Sequence, residues 1–138
     1  MQLAQFAKSS KTYKAITVNT ASPGRLVLML FDGALRFMGA ALRGFNEEDF
    51  IKRNETIHNN LVKTQDILRE LQASLDMQIG GEFSGRMHAL YDFMLAGLQQ
   101  ANLSKDPEPI RTAERMLGEI RDAWAQMLER SANTNQAA

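Results

Sequence analysis

The sequence predicts an all-α protein, an antiparallel up-down four-helix bundle with a mobile N-terminal arm. Two observations lead to this prediction. Apolar residues recur at helical spacing in four long segments, and no segment alternates polar and apolar residues as a strand requires. The breaks between the segments are short, and short connections place successive helices antiparallel. The predicted units are a flexible arm at 1–20, the bundle at 21–131 and a frayed polar tail at 132–138.

The composition narrows the class of protein. The chain has 138 residues, no cysteine and a formal net charge of zero, which suits one domain in a reducing compartment. No apolar run is long enough to insert into a membrane or to form the centre of a signal peptide. The sequence therefore predicts a cytoplasmic protein.

Charge is spread unevenly along the chain. Residues 1–45 carry six Lys or Arg side chains against the single acid Asp32, whereas the remaining residues have a net charge of −5. A basic front could bind an acidic partner or nucleic acid, and it could equally settle against the acidic body of its own chain. The bases are scattered and no stacking aromatic cluster accompanies them, so no nucleic-acid partner is predicted.

The first helix has a well-marked start and end. Ser22 is a favourable N-cap, and Pro23 fits the first helical position because its missing N–H has no intrahelical partner there. The helical pattern then continues to about Gly44. At 100° per residue, a thin polar line contains Arg25, Asp32 and two further arginines.

The rest of that helix is apolar over about 200°, roughly twice the arc that one-sided packing needs. Two explanations stay open. Either the helix is central and has neighbours on several sides, or part of its apolar surface lines a groove for another chain.

The other three helices follow the same logic. The second begins at "FNEEDF" with Asn46 as its cap, the third follows the glycine break "IGGEFSG", and the fourth has Asp106 as cap and Pro107 at its first position. Their apolar stripes are Phe50, Ile57, Leu61, Leu68, Leu71 and Leu75; Met87, Leu90, Tyr91, Met94, Leu95 and Leu98; and Ile110, Ala113, Leu117, Ile120, Trp124 and Met127.

Catalytic and metal-binding patterns do not emerge from the sequence. His58 and His88 stand alone on different helices, and neither belongs to the Glu-x-x-His spacing of a di-iron bundle. Phosphate-loop, zinc and nucleophile motifs are also missing. A carboxylate-bundle metal enzyme is disfavoured because the inward positions are aliphatic, so the sequence predicts no enzyme, no metal and no cofactor.

Several stretches resemble the FliS family of flagellin-specific export chaperones. These are Tyr13, the cap at 20–23 and the Met-Leu-Phe-Asp-Gly run at 29–33, followed in order by "LDMQIGGE", "LYDFM", "QANLSKD" and "IRDAW". The resemblance covers about residues 13–128, and residues 1–12 are a longer and less typical leader than the family has.

The resemblance implies a cytoplasmic chaperone with an antiparallel helical bundle. Its client is the disordered C-terminal region of flagellin, which wraps around the bundle in apolar grooves, gains helix there and is kept from premature polymerisation. The chaperone then hands the subunit to the flagellar export gate. A helical adaptor that binds a different amphipathic segment in the same grooves is the alternative.

The resemblance also directs attention to six flagellin-binding candidates. Three lie in the otherwise polar arm, and three lie on the apolar arc of the first helix: Tyr13, Ile16, Val18, Leu26, Leu30 and Phe37. We hypothesise that Tyr13 and Ile16 cap the empty groove and move when flagellin binds. Ordinary packing of the arm against the bundle is the competing interpretation.

Overall fold

The computed structural model describes residues 22–137, with side chains to residue 134. The predicted arm at 1–20, with Tyr13, Ile16 and Val18, lies outside these residues. The described part contains four helices and no strand: α1 at Pro23–Gly44, α2 at Phe50–Ala73, α3 at Gly81–Ser104 and α4 at Glu108–Ala137. The all-α prediction is confirmed.

The four helices form an up-down bundle in which each packs against two others. The pairs are α1 with α2, α2 with α3, α3 with α4, and α4 with α1. Contacts between α1 and α4 show the antiparallel order, because Trp124 of α4 donates to the Gly24 carbonyl at the start of α1, whereas the earlier Arg121 of α4 donates to Asp32, two turns further along α1. Among residues 22–137, helix α1 is therefore a corner helix that packs mainly against α2 and α4, and this arrangement does not favour the explanation that places it centrally.

The start of α1 matches the prediction closely. Ser22 is the N-cap, and its side chain accepts a hydrogen bond of 3.3 Å from the Arg25 amide. Pro23 occupies the first turn, and the helix ends at Gly44. Local chemistry at Ser22 and Pro23 thus sets the start of this helix, whereas at its end the backbone of Phe45 bonds to Leu42 and Arg43.

The predicted start of α2 is wrong. Its N-cap is Asp49, which accepts a 2.9 Å hydrogen bond from the Lys52 amide. Asn46 instead closes the end of α1, because its own amide donates to the Arg43 carbonyl at 3.0 Å. Phe50, predicted in the core stripe, is consequently in the first turn of α2 and 70% exposed.

The glycine break between α2 and α3 is a tight turn. A Cβ atom at Gly80 would lie 1.7 Å from the Ser84 hydroxyl oxygen and 2.9 Å from the Asp76 carbonyl oxygen. Gly81 has a φ of +54°, which side chains rarely adopt. Ser84 donates to the Asp76 carbonyl at 2.9 Å, so the turn is held by a bond that only a glycine at position 80 permits.

Helix α4 differs from the prediction at both ends. It begins at Glu108, one residue after the predicted Pro107, although the Asp106 carboxylate does accept a hydrogen bond from the Glu108 amide at 3.0 Å. Its helical backbone continues through Ala137 and crosses the predicted bundle boundary at residue 131 without a break. Met127, predicted in the core stripe, is 39% exposed.

The hydrophobic core runs the length of the bundle along its axis. Every helix contributes fully buried side chains, including Leu30, Phe31 and Met38 from α1, Ile57, Leu61 and Leu68 from α2, Met94 and Leu98 from α3, and Ile110 and Leu117 from α4.

Candidate protein-binding surfaces

Two of the three predicted binding residues on α1 belong to the core. Leu26 is 5% exposed and Leu30 is 1% exposed, so neither presents surface to a ligand in this structure. Phe37 is half-buried at the seam between α1 and α2, where the Lys63 ammonium lies 5.4 Å from its ring centroid. The structure therefore brings Phe37 to the surface and leaves the other two beneath it, and their role in binding stays a prediction.

The opposite edge of α1 is joined to α4 by polar contacts. Arg121 Nε donates to the Asp32 carboxylate at 2.7 Å, although 89 residues separate the two in sequence. The hydrogen bond and the charge of Asp32 raise the pKa of Arg121 above its ordinary value. Both side chains are about one-third exposed, so the pair contributes modestly to stability. Asp32 thus acts as a structural group at this edge.

The aromatic residues beside that ion pair strengthen the same edge. Trp124 donates from its indole nitrogen to the Gly24 carbonyl at 2.9 Å and packs edge-on against Phe31, with ring centroids 6.2 Å apart. Leu128 lies against Gly24, where an added Cβ would be 2.5 Å from a Leu128 methyl carbon. These contacts close the edge between α1 and α4 at these positions.

The edge between α3 and α4 is different, because it contains an apolar groove of about 310 Å³. Phe93 on its rim is 59% exposed, and Met94 is buried at its base. Gly97 and Pro109 form part of the groove wall, and a Cβ added at Gly97 would lie 3.6 Å from the Pro109 Cβ, in van der Waals contact. The missing side chain at Gly97 leaves that part of the groove unfilled. The remaining lining residues are Asp106, Glu108 and Thr112.

The seam between α2 and α3 is polar and holds both histidines. Gln72 donates from its side-chain nitrogen to the His88 carbonyl at 3.0 Å and to the Asp92 carboxylate at 2.7 Å. Near the other end, the His58 Nδ1 atom lies 2.9 Å from the Asn102 side-chain nitrogen. Both histidines therefore contact amide groups across the seam, and each helps to join α2 to α3.

Buried ionisable groups are few in the described part of the chain. Burial raises the pKa of Tyr91 well above the ordinary value for tyrosine. Desolvation, with a smaller contribution from the charge of Arg53, lowers the pKa of Lys105. In residues 22–134, no three His, Asp or Glu side chains are grouped so that they could hold a metal ion.

Sequence reasoning missed where the exposed apolar side chains lie. Six of the nine large ones cluster at the two ends of the bundle: Phe50, Ile51 and Leu103 at one end, and Met77, Ile79 and Phe83 at the other. A signal was present in the sequence, since each of these residues is next to or inside a predicted break. Residues in connections and terminal turns have fewer neighbours than mid-helix residues.

These features define a class of protein. It is a four-helix bundle whose described surface has an apolar groove along one edge and apolar side chains at both ends, an arrangement that suits binding of a peptide segment. None of the described helices combines the length and the apolar content needed to cross a bilayer.

Comparison with known proteins identifies a single family. The family model described as flagellar protein FliS matches residues 6–131. The flagellar secretion chaperone FliS of Bacillus subtilis is 38% identical over 117 residues, covering 85% of this chain and 84% of that protein. The FliS chaperone of Salmonella typhimurium is 35% identical over 126 residues, covering 88% and 90% of the two chains. The chain belongs to the FliS family, and the resemblance noted in the sequence is confirmed.

Proposed function

We propose that the protein is a non-enzymatic flagellar export chaperone of the cytoplasm, and that its client is the disordered C-terminal region of flagellin. Membership of the FliS family supports the proposal most strongly, because the family's curated relatives are flagellar secretion chaperones. The chaperone keeps flagellin from polymerising early and delivers it to the export gate.

The apolar groove between α3 and α4 is the main client surface in this proposal. Its volume of about 310 Å³ accommodates one or two large apolar side chains, and Phe93 on its rim provides an exposed aromatic contact. An amphipathic segment that enters such a groove presents anchors at i, i+3, i+4 and i+7. Because the segment also loses chain entropy when it becomes ordered, a single groove is a small part of the contact that it needs.

A second client contact is proposed at Phe37, with the arm residues Tyr13, Ile16 and Val18 above it when no client is bound. Phe37 is only half-buried, which supports this placement. Leu26 and Leu30 lie in the core, nearer the start of α1. In this proposal they support α1 from within the core.

The decisive experiment is a binding titration by calorimetry. The purified chain is titrated with a peptide of about forty residues from the C-terminus of the cognate flagellin, a length sufficient for a wrapped contact. We expect a 1:1 complex with a dissociation constant at or below about 1 μM. A scrambled peptide of the same composition is the control, and the absence of a complex at this concentration refutes the proposal.

Two further measurements test the adaptor alternative and the role of the N-terminal arm. An unrelated amphipathic helical peptide that binds as tightly as the flagellin peptide would instead establish a general helical adaptor. Amide hydrogen exchange of residues 10–20, measured with and without the flagellin peptide, tests the arm. We expect protection to change, and identical protection in both states would contradict a role for Tyr13 and Ile16.

A further inference from the structure

The groove between α3 and α4 contains a glycine that helix packing does not require. Gly97 lies within α3, where a glycine makes the helix less stable than an alanine would. Beyond its own turn of helix, the nearest atom to a Cβ added at this position would be the Pro109 Cβ at 3.6 Å, which is an ordinary van der Waals distance. Alanine would therefore fit at position 97 without moving α4.

Two other helical glycines are different, because neighbouring helices approach them closely. At Gly24 an added Cβ would lie 2.5 Å from a methyl carbon of Leu128, and at Gly44 it would lie 3.0 Å from a methyl carbon of Thr56. Packing requires a glycine at both of these positions. Gly97 lacks that reason, so its contribution lies in the space that it leaves open.

The space beside Gly97 belongs to the apolar groove of about 310 Å³. Phe93 lies one helical turn before Gly97 on the same face of α3 and is 59% exposed. Met94 is buried at the base of the groove, and Pro109 and Thr112 of α4 line the opposite wall. Such walls suit a large apolar side chain, because a polar one would lose hydrogen bonds to water without replacing them.

The groove also has a charge preference. Among the described residues, its lining contains two acids, Asp106 and Glu108, and no Lys or Arg. Glu108 pairs with Arg111, whereas no Lys or Arg nitrogen of residues 22–134 lies within 4.0 Å of the Asp106 carboxylate. Lys105, its neighbour in sequence, donates instead to the Asn102 carbonyl at 2.8 Å. The Asp106 carboxylate is therefore available to a cation on a ligand.

We infer that Gly97 is the specificity-determining residue of this groove. The groove selects one large apolar side chain of the client, which enters beside Gly97 and which we call the anchor. A lysine or arginine within one helical turn of the anchor pairs with Asp106. Because the ligand is the flagellin client, this role rests on the proposed function and names the part of the client that the groove binds.

Calorimetric titration of Gly97 variants with the C-terminal flagellin peptide tests the inference. Gly97→Ala should weaken binding about threefold and Gly97→Leu about thirtyfold, because the new side chains fill part or most of the space for the anchor. Gly118→Ala and Gly118→Leu on α4 are the matched controls and should leave the affinity unchanged, since a Cβ at Gly118 faces open space outside the groove.

Two results of this titration would overturn the inference. One is an equal affinity of the Gly97 and Gly118 variants. The other is tighter binding by Gly97→Leu, because a client that lies flat across the groove would gain apolar contact from the added leucine.

Melting temperatures separate a loss of binding from damage to the fold. Gly97→Ala and Gly118→Ala should each raise the Tm by about 4 °C, because alanine fits at both positions and is the better helix former. A variant that is more stable and yet binds more weakly has lost a ligand contact. A Gly97→Ala protein that melts below the wild type would overturn the inference, since packing would then require the glycine.

Alanine replacements in the peptide identify the anchor. Each large apolar residue of the flagellin peptide is replaced in turn, and loss of the anchor should weaken binding to the wild-type protein about tenfold. In Gly97→Leu the same replacement should weaken binding less than twofold, because the leucine already occupies the space. If every replacement has the same effect on both proteins, no client side chain enters beside Gly97 and the inference is overturned.

Asp106→Asn tests the charge preference. Asparagine can still cap the first turn of α4, where Asp106 accepts a hydrogen bond from the Glu108 amide at 3.0 Å. Binding should weaken about threefold at low salt, as expected for one exposed charge pair, and the difference should vanish at about 1 M salt. Asp49→Asn changes the cap of α2 at the same end of the bundle and should leave the affinity unchanged. Equal effects of the two variants would contradict pairing with Asp106.

Failure of this inference differs from failure of the proposed function. If the wild-type protein does not bind the flagellin peptide, both are refuted. If it binds and substitutions at Gly97 have no effect, only the role of Gly97 is refuted, and the client contact lies elsewhere on the bundle.

Discussion

Helices α1 and α3 contrast in how they use their apolar side chains. Helix α1 has the broader apolar arc, yet none of its large apolar side chains is exposed. Helix α3 has a narrower core stripe, yet it exposes Phe83, Phe93 and Leu103 at 61%, 59% and 74%. The more apolar of the two helices thus presents less apolar surface.

The difference arises from the neighbours of each helix. On α1, an arc of about 140° from Leu26 to Phe31 faces the core, and the seams with α2 and α4 cover much of the remainder. On α3, the α4 seam contains the groove lined by Phe93, Gly97 and Pro109, and the terminal turns expose Phe83 and Leu103. The number of apolar side chains along a helix therefore predicts how much surface needs to be buried. Packing against neighbouring helices decides which of these side chains stay exposed.

The largest expected loss of stability follows from substitution of a core residue of α1. Leu30→Ala should lower the free energy of unfolding by about 3 kcal/mol, because it leaves a cavity in a site that is 1% exposed. Urea denaturation measures the change. Leu103→Ala on α3 is the control and should change the free energy by less than about 0.5 kcal/mol. Equal losses for the two variants would break the contrast between the helices.

The burial of Tyr91 on α3 predicts that the free energy of unfolding depends on pH. Burial raises the pKa of Tyr91 above its ordinary value of 10.0, so the folded protein keeps the proton at a pH where the unfolded chain loses it. The free energy of unfolding should therefore fall as the pH rises above about 10, by about 1 kcal/mol at pH 11. Urea denaturation of Tyr91→Phe should lack this component. A decline that persists unchanged in the variant would exclude Tyr91 as its source, and Tyr13→Phe is the matched control.

The seam between α1 and α4 is expected to contribute less. Trp124→Phe removes the hydrogen bond to the Gly24 carbonyl and retains an aromatic ring beside Phe31. The free energy of unfolding should fall by about 1 kcal/mol. Thermal and urea denaturation measure this loss. A loss as large as that of Leu30→Ala would mean that the ring packing, and not the hydrogen bond, dominates this edge.

The smallest stability change is expected on the exposed side of α3. Phe93→Ala should alter the free energy of unfolding by less than about 0.5 kcal/mol. It should weaken binding of the flagellin peptide about tenfold if Phe93 is a central contact. Phe83→Ala removes a ring of similar exposure on the same helix but outside the groove, and calorimetry should find its affinity unchanged. Equal affinities for both variants would place the client elsewhere.

Local chemistry made the first helix predictable. Ser22 and Pro23 act within one turn of their own positions, so the predicted start of α1 agrees with the structure, and its last residue is the predicted Gly44. The start of α2 was predicted wrongly because Asn46 and Asp49 are both favourable cap residues, and in the structure only Asp49 accepts a bond from the first turn of α2. The exposure of Phe50 follows from that shift.

Contacts between distant parts of the chain could not be predicted from local patterns. Asp32 finds Arg121 across 89 residues, and the thin polar line of α1 gives no indication of that partner. The groove at Phe93 likewise depends on Gly97 meeting Pro109 from another helix. Neither residue marks a binding site by itself.

The sequence by itself determined the four helices, their antiparallel order and the family, because caps, apolar periodicity and ordered motifs are local features of the chain. Only the tertiary structure decided which apolar residues are core and which are surface. That distinction depends on the neighbours that each helix acquires in the bundle, and it places Leu26 and Leu30 of α1 in the core and Phe93 of α3 on the surface.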